Sequence, residues 1–276
     1  MDKNKTILVC PLEWGLGHAT RCIPLIQQFL DEGHRVIIAS SGKPEALLKK
    51  EFPQLQFIPL KGYDIEYSEK GSMITKMLLQ LPKIKKAIED EHLWLDQIID
   101  KYSIDMVVSD NRYGLWTKKV ESVLMTHQLF IKAPTGEWLL EKIVKKYLNN
   151  FDEVWIPDVE DEDNLSGELS HKKTLPLNYR FIGILSRFST YLQTQNIETE
   201  EYDFIAILSG PEPQRTIFEN IILKQLENTD FKGILVRGLP EEKLELKIEN
   251  SELKVFNHLE IEEFLKCIQK SKVVIC

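Results

Sequence analysis

The sequence predicts an α/β fold in which parallel strands are covered by helices on both faces. Short apolar runs rich in β-branched residues alternate with longer segments whose apolar residues recur at helical spacing. The strand runs are apolar almost throughout, as expected when neither face of a sheet meets water. This pattern restarts after a polar stretch near residue 190. We therefore expect two such sheets along the chain.

Each predicted strand is an apolar run, and each predicted helix is an amphipathic segment bounded by helix-breaking residues. The predicted strands are 6–12, 34–40, 55–60, 104–110, 122–128, 152–158, 179–185, 203–210, 233–238, 253–256 and 272–276. The predicted helices are 18–32, 44–51, 72–102, a short one between 110 and 122, 137–148, 214–227 and 261–269. Pro82 predicts a kink or break in the third helix, because a proline removes one helical hydrogen bond.

Polar segments divide this pattern into a first domain of residues 1–187, a linker of 188–202 and a second domain of 203–276. Residues 159–176 are predicted to form a surface loop inside the first domain. The chain stops on a buried strand, without the helix that would cover its sheet. We expect a truncated copy of a two-domain protein, with a small complete second domain as the alternative.

Composition excludes several classes of protein. The chain has 276 residues, with 35 Lys and Arg against 43 Asp and Glu, so its net charge is −8 and no general affinity for nucleic acid is expected. Four cysteines show no C-x-x-C spacing, and three of them follow or join apolar runs, where we expect burial. No apolar run approaches the ~20 residues of a membrane span. The N-terminus lacks a secretory cleavage site, so the cytoplasm is the expected compartment.

The segment PLEWGLGHATR, residues 11–21, joins the first strand to the first helix. Gly15 and Gly17 permit a close backbone approach to a ligand, and the free N–H groups of the helix start suit an anionic one. Thr20 replaces the third glycine of a dinucleotide fingerprint, and the second strand lacks the acidic residue that would bind ribose. An NAD-dependent reductase is therefore the least favoured function. His18 is predicted to be a general base or a substrate hydrogen-bonding group, and a turn cap is the alternative.

Other candidate residues also follow predicted strands. Asp110, Asn111 and Arg112 follow a buried strand, where they face an acceptor or, alternatively, cap a helix. Arg215 is predicted to pair with a diphosphate, with a solvated helix residue as the alternative. The Lys83, Lys85 and Lys86 cluster is predicted to be a solvated helix face, with anionic lipid as the alternative contact. The sequence has no paired-carboxylate motif, so no metal is predicted.

Four segments resemble glycosyltransferases of the B-type fold, in particular glycosyltransferase family 28, which includes the lipid-linked N-acetylglucosaminyltransferase of peptidoglycan synthesis. GLGHATR-x-x-P-L, residues 15–25, is similar to that family's glycine-rich N-terminal loop. THQ (126–128) resembles its His-Glu-Gln segment without the Glu. LSGPEPQRT (208–216) resembles its second-domain turn with only Gly210 retained, and KVVIC resembles the strand before its Arg-Ser-Gly segment.

The resemblance implies two Rossmann-like domains facing a cleft, with the acceptor mainly on the first and the nucleotide sugar mainly on the second. It implies an inverting hexosyltransferase with a UDP-sugar donor and a hydroxyl acceptor, which is lipid-linked in some relatives. It also implies peripheral contact with the inner face of the membrane, and neither a cofactor nor a metal. His18 would be the catalytic base. The residues expected on the acceptor side or cleft are Gly15, Gly17, Thr20, Arg21, Asp110, Asn111, Arg112, His127 and Gln128. Ser209, Gly210 and Arg215 would bind the donor. The alternatives are a non-catalytic sugar- or nucleotide-binding module and a sugar-nucleotide epimerase.

Overall fold

The computed structural model describes residues 4–63, 73–130, 137–171, 178–189, 201–227, 229–240 and 252–276, and these residues form two separate parallel sheets. The strands of the first are β1 (Thr6–Pro11), β2 (Arg35–Ser40), β3 (Gln56–Pro59), β4 (Met106–Asp110), β5 (Glu121–Met125), β6 (Glu153–Ile156) and β7 (Tyr179–Phe181). The strands of the second are β8 (Tyr202–Ile207), β9 (Gly233–Val236), β10 (Leu253–Phe256) and β11 (Ser271–Ile275).

Both sheets are wound outward from a central strand. The first has the order β3-β2-β1-β4-β5-β6-β7, and the second has the order β10-β9-β8-β11. All strand pairs are parallel, with Ile7 opposite Val36 on one side of β1 and opposite Met106 on the other. The order reverses between β1 and β4, and a ligand in such a sheet binds beyond the carboxyl ends of the strands at that point.

Helices cover both faces of the first sheet. The helices are α1 (Gly17–Asp31), α2 (Gly42–Glu51), α3 (Met73–Tyr102) and α4 (Glu137–Leu148), with α5 (Gln214–Leu226) and α6 (Ile261–Gln269) on the second sheet. Alternate β1 residues point to opposite faces. Val9 belongs to the core formed with α1 and α2, whereas Leu8 belongs to the core formed with α3. This burial on both faces explains the apolar strands.

The predicted strands are all present, most with shorter or slightly shifted bounds, but the helix predicted between 110 and 122 is absent, and β11, predicted to be buried, is largely exposed. Residues 111–120 form no helix, because Asn111 adopts a left-handed backbone with φ of 59° and the segment is held by side-chain hydrogen bonds instead. Pro82 does not break α3, which continues through it to Tyr102. Its later turns are anchored by buried residues such as Ile88 and Leu95.

Several other predictions can be placed on the fold. Of the predicted loop, 159–171 is described, and it is irregular apart from a 3₁₀ turn at Gly167–Leu169. Most of the predicted linker lies outside the described residues, so the domain bounds stay predictions. The four cysteines are unpaired; Cys10 and Cys22 are buried and Cys267 is half-buried, but Cys276 is exposed. Within the described ranges, no helix is long and apolar enough to cross a membrane.

Candidate functional site

The loop after β1 contacts the loop after β8, so the carboxyl ends of the two sheets meet there. The Leu16 N–H donates a hydrogen bond of 3.2 Å to the Ser209 carbonyl. Gly15 has a φ of 75°, and a Cβ at this position would lie 2.6 Å from that same carbonyl oxygen. Gly15 therefore makes its close approach to protein backbone, and a ligand at this position stays a prediction. Gly17, in contrast, is exposed with nothing within 4 Å of its Cβ position.

His18 forms a pair with Asp110, 92 residues away in the sequence. His18 lies in the first turn of α1, and Asp110 is the last residue of β4, next to β1 in the sheet. The His18 Nδ1 atom lies 3.0 Å from the Asp110 Oδ2 atom. Asp110 is fully buried, whereas the His18 side chain is 14% exposed. Nδ1 bonds Asp110 and not the turn, so His18 is not a turn cap.

Arg21, one helical turn after His18, joins this pair to His127. Its Nε atom donates to Asp110 Oδ2 at 3.0 Å, and its Nη2 atom forms a shorter ion pair with Asp110 Oδ1. Nη2 also lies 3.0 Å from His18 Nδ1, and Nη1 lies 3.0 Å from His127 Nδ1. The structure thus brings together four of the residues predicted from the sequence. We call His18, Arg21, Asp110 and His127 the histidine cluster.

The charges in the histidine cluster favour an ionised Asp110. Burial would raise the pKa of Asp110, but the charges of Arg21 and His18 and their hydrogen bonds lower it to about 2. Burial likewise opposes the charge on Arg21, but Asp110 raises the pKa of that guanidinium. The pKa of His127 is lowered, first by burial and then by the charges of Arg21 and His18. The cluster therefore holds one anion, one cation and a neutral His127.

Asn111 and Gln128 shape the loops beside the histidine cluster. Thr126 Oγ1 donates to Asn111 Oδ1 at 2.9 Å, and the Gln128 N–H donates to Thr126 Oγ1 at 3.0 Å. The Asn111 N–H donates to the Met125 carbonyl at 3.0 Å. Asn111 is buried and Gln128 is exposed. Asn111 therefore ties β4 to β5, and no helix follows it, so the predicted helix cap is wrong.

Arg112 does not face the cleft. Its side chain is fully buried, with Nε donating to Glu91 Oε1 at 2.7 Å and Nη1 donating to Glu13 Oε2 at 2.9 Å. A third bond goes from Nη2 to the Lys61 carbonyl. A guanidinium enclosed by two carboxylates cannot contact an acceptor arriving from solvent, so the acceptor-side position predicted for Arg112 is wrong. Glu13 and Glu91 carry no signal in the sequence that would separate them from the other 41 acidic residues.

Arg215 is also turned into the protein. It is 5% exposed, and it contacts Glu212 at 2.5 Å and Glu219 at 3.0 Å. Its Nη1 atom also donates to the Arg237 carbonyl at 3.2 Å. Its charge is balanced by two carboxylates, so the predicted contact with a diphosphate is wrong. Gly210 remains open, with nothing within 4 Å of its Cβ position.

A cavity of about 310 Å³ lies where the two sheets meet, beside the histidine cluster. Its walls are mainly apolar and come from α1, α6, the segment 185–188 and the ends of β8 and β9. Thr20, predicted on the acceptor side or cleft, and Ser209, predicted to bind the donor, both line it, whereas His18 does not. Gly17 and Thr20 face the cavity from the same helical turn that carries His18 and Arg21.

Sequence reasoning missed several residues of this cavity. Phe264, Arg187 and His258 line it, and the His258 Nε2 atom is buried with no hydrogen-bond partner among the residues that the structure describes. Gly238 has a φ of 66°, and a Cβ there would lie 1.9 Å from the Leu208 carbonyl oxygen. Gly238 directly follows the apolar run GILVR, and Gly15 was identified from the same kind of position after a strand. The sequence could therefore have pointed to Gly238 as well. Nothing in the sequence marks Arg187 or His258. In the ranges described, no three His, Cys, Asp or Glu side chains could hold a metal ion.

Comparison with known sequences finds one partial relative. No family model matches the chain. An uncharacterized glycosyltransferase of Methanosarcina mazei is 28% identical over 107 residues, which is 36% of this chain and a quarter (25%) of that protein's length.

Solved structures align over nearly the whole chain. The spinosyn rhamnosyltransferase SpnG complexed with thymidine diphosphate has a TM-score of 0.57 at 13% identity, over 98% of this chain and 75% of its own. The glycotransferase of kitacinnamycin has a TM-score of 0.55 at 14% identity, over 97% and 74%. A UDP-N-acetylglucosamine 2-epimerase has a TM-score of 0.52 at 10% identity, over 99% and 74%. The chain therefore has the glycosyltransferase B-type fold, with two Rossmann-like sheets.

Proposed function

We propose that this chain is an inverting glycosyltransferase that moves a sugar from a UDP-sugar to an acceptor hydroxyl, with His18 as the general base. The observation that carries the proposal is the His18–Asp110 pair, at 3.0 Å, beside a cavity between the two sheets. The pair lies at the strand-order reversal, where this type of sheet binds ligands. A lipid-linked acceptor, membership of family 28 and a cytoplasmic location rest on sequence alone.

In this proposal the proton of the acceptor hydroxyl passes to Nε2 of His18. Nδ1–H donates to the ionised Asp110, which fixes the ring and leaves the Nε2 lone pair available. The acceptor oxygen forms a bond to the anomeric carbon as the bond to the nucleoside diphosphate breaks, so the configuration inverts. The buried Asp110 carboxylate stabilises the imidazolium that results.

The cavity between the sheets is the proposed place for the nucleoside part of the donor. Its apolar walls and the ring of Phe264 suit a base, because aromatic rings stack on the faces of bases. The His258 Nε2 atom, which has no partner in the described part of the chain, and the Ser209 loop offer polar groups within these walls. Gly210 leaves space at the open turn for the diphosphate. His18 and Thr20 share one helical turn, which would set this donor beside the base.

The test measures nucleotide release and products with UDP- and TDP-sugars, each with and without a panel of hydroxyl acceptors. We expect acceptor-dependent transfer that falls about 10²–10⁴-fold in His18→Gln. Calorimetric affinity for UDP should be unchanged, since His18 does not line the cavity. His34→Gln is the matched control, because His34 follows the far end of α1, and its Nδ1 only accepts from the Lys5 N–H at 3.2 Å.

Three other outcomes of this test would contradict the proposal. Full transfer by a folded His18→Gln variant would remove His18 from the mechanism. An altered sugar nucleotide formed without acceptor would identify an epimerase, whose fold likeness makes it the second candidate. Nucleotide binding with no product in any combination would identify a binding module.

A further inference from the structure

Arg21 contacts three other titratable side chains at once. Its five N–H groups are all donors, and the guanidinium keeps its charge at every pH at which the protein is folded. Nε and Nη2 bind the Asp110 carboxylate, and Nη1 contacts His127 Nδ1. Nη2 also contacts His18 Nδ1. The Arg21 side chain is 13% exposed, so most of it is enclosed by these partners.

A donor-only partner determines where the proton of His127 lies. Arg21 Nη1 lies 3.0 Å from His127 Nδ1, and Nη1 carries no lone pair that could accept a proton. Nδ1 must therefore present its own lone pair to Arg21. A neutral imidazole with a bare Nδ1 carries its proton on Nε2. His127 makes no other hydrogen bond within the described residues, so that Nε2–H has no protein acceptor among them.

We propose that Arg21 is a positioning residue that fixes His127 as an Nε2–H hydrogen-bond donor to a substrate hydroxyl, while it holds Asp110 for His18. The role of a donor to substrate rests on the function proposed above. The position of the proton rests on the geometry alone. The two histidines then have opposite tasks, since His18 accepts a proton at Nε2 and His127 donates a hydrogen bond from Nε2.

The charges around His127 act in the same direction. Arg21 and His18 face it from α1, Asp110 faces it from β4, and Asp158 faces it from the loop after β6. Burial and the first two groups disfavour the charged imidazolium, and the two carboxylates only partly oppose them. An imidazolium at His127 would also place an N–H against an Arg21 N–H. The neutral ring is the form that satisfies every contact.

His18 differs from His127 because its Nδ1 has two possible partners. It either donates to Asp110 Oδ2 or accepts from Arg21 Nη2, both at 3.0 Å. Only the first arrangement leaves a lone pair on Nε2, so the base mechanism requires it. The assignment for His127 holds in either case, which makes the two proposals separable by one experiment.

The experiment is long-range ¹H–¹⁵N NMR on the full chain with ¹⁵N-histidine, which distinguishes the two neutral tautomers and the imidazolium. The chain has six histidines, and His127→Gln assigns the signal of interest. At pH 7 we expect wild-type His127 to have a protonated Nε2 and a bare Nδ1, and to titrate below the ordinary histidine range. In Arg21→Met we expect its tautomers to mix and its titration midpoint to rise.

Arg35→Met is the matched control, because the exposed Arg35 side chain donates to Gln56 Oε1 at 2.8 Å and to no residue of the histidine cluster. It should leave the His127 signals unchanged. If Arg21→Met fails to fold with Asp110 left unpaired, the double variant Arg21→Met/Asp110→Asn removes both charges and gives the same measurement on His127.

A wild-type His127 that carries its proton on Nδ1, or is charged at pH 7, overturns the proposal. An Arg21 variant with an unchanged His127 also overturns it. A proton on His18 Nε2 would instead overturn the base assignment alone.

Discussion

Asp110 shows how one buried side chain organises the candidate site. It ends β4 with no exposed surface, and a lone carboxylate in that position would be costly to ionise. Arg21 and His18 reverse this cost, and they lower its pKa to about 2 against the opposing effect of burial. Cys22 also lies close, with its Sγ atom 3.8 Å from Asp110 Oδ2, and burial raises the pKa of this thiol well above its ordinary value. The carboxylate therefore lies among the Arg21 guanidinium, the His18 imidazole and the Cys22 thiol.

At the residue scale we predict that Asp110 stabilises the fold only where it is ionised. Its pKa falls from an ordinary 3.8 to about 2 on folding, so its contribution is complete above pH 4 and is lost as the pH falls through 2. The shift corresponds to about 2 kcal/mol of unfolding free energy. In urea denaturation, the difference between wild type and Asp110→Asn should shrink between pH 4 and pH 2.

Comparing the two proteins at each pH cancels the titration of other carboxylates. Asp163→Asn is the control, because Asp163 is an exposed loop residue and should give no difference at any pH. A wild-type to Asp110→Asn difference that stays constant from pH 7 to pH 2 would show that folding does not lower the pKa of Asp110.

At the element scale, the segment between β4 and β5 is held by a buried ionic network in place of a helix. Arg112 contacts Glu91 from α3 and Glu13 from the loop after β1, and its guanidinium lies 5.4 Å from the ring centre of Tyr63. The Tyr63 hydroxyl donates to Glu91 Oε2 at 2.7 Å, and the Gly114 N–H donates there at 3.1 Å. Burial raises the pKa of Glu91, and the charge of Arg112 opposes that rise. Three distant segments are thus joined through one cation.

We predict that Arg112→Met destabilises the protein by about 3–5 kcal/mol, because it leaves a buried carboxylate without its cation. The measurement is the free energy of unfolding in urea, with circular dichroism to confirm that the variant is folded.

The control for that variant is Lys119→Met. Lys119 makes only exposed ion pairs, with Asp96 at 3.6 Å and Asp100 at 3.5 Å, and should cost no more than about 1 kcal/mol. Equal effects of the two substitutions would show that the network adds no more than a surface pair.

At the scale of the whole molecule, two glycines let strand-end loops approach closely. Gly15 lets the first sheet contact the Ser209 carbonyl of the second, and Gly238 lets the loop after β9 pass the Leu208 carbonyl. Both have positive φ values, which residues with a Cβ adopt at a cost. An ion pair between Lys43 and Glu212, at 3.4 Å, also joins the first part of the chain to the second. Leu16, Leu208, Ser209 and Gly238 line the cavity, so its shape depends on the two glycine contacts.

We predict that Gly15→Ala weakens the contact between the two sheets, because its Cβ would overlap the Ser209 carbonyl oxygen at 2.6 Å. The Leu16 amide donates to that oxygen, so its hydrogen exchange should become faster. Gly17→Ala, two residues away and with open space around it, should leave that exchange rate unchanged. Faster exchange in both variants would point to a general effect on α1, and no change in Gly15→Ala would contradict the contact.

The sequence by itself determined the alternation of strands and helices, and with it the edge of each sheet where a site can form. Strand and helix periods are local properties, so they are visible in short windows. That is why His18, Asp110 and His127 could be placed at carboxyl strand ends before their partners were known. The B-type fold also followed, through the resemblance of residues 15–25.

Only the tertiary structure decided which polar side chains face solvent and which are enclosed. Arg112 and Arg215 follow strands just as Asp110 does, yet carboxylates enclose both guanidinium groups. Glu13 lies 99 residues from Arg112, and Asp110 lies 89 residues from Arg21. Pairing over such distances depends on how the sheet brings strand ends together, and spacing along the chain carries no record of it. For the same reason, nothing in the sequence indicated that Gly15 contacts the Ser209 carbonyl of the second domain.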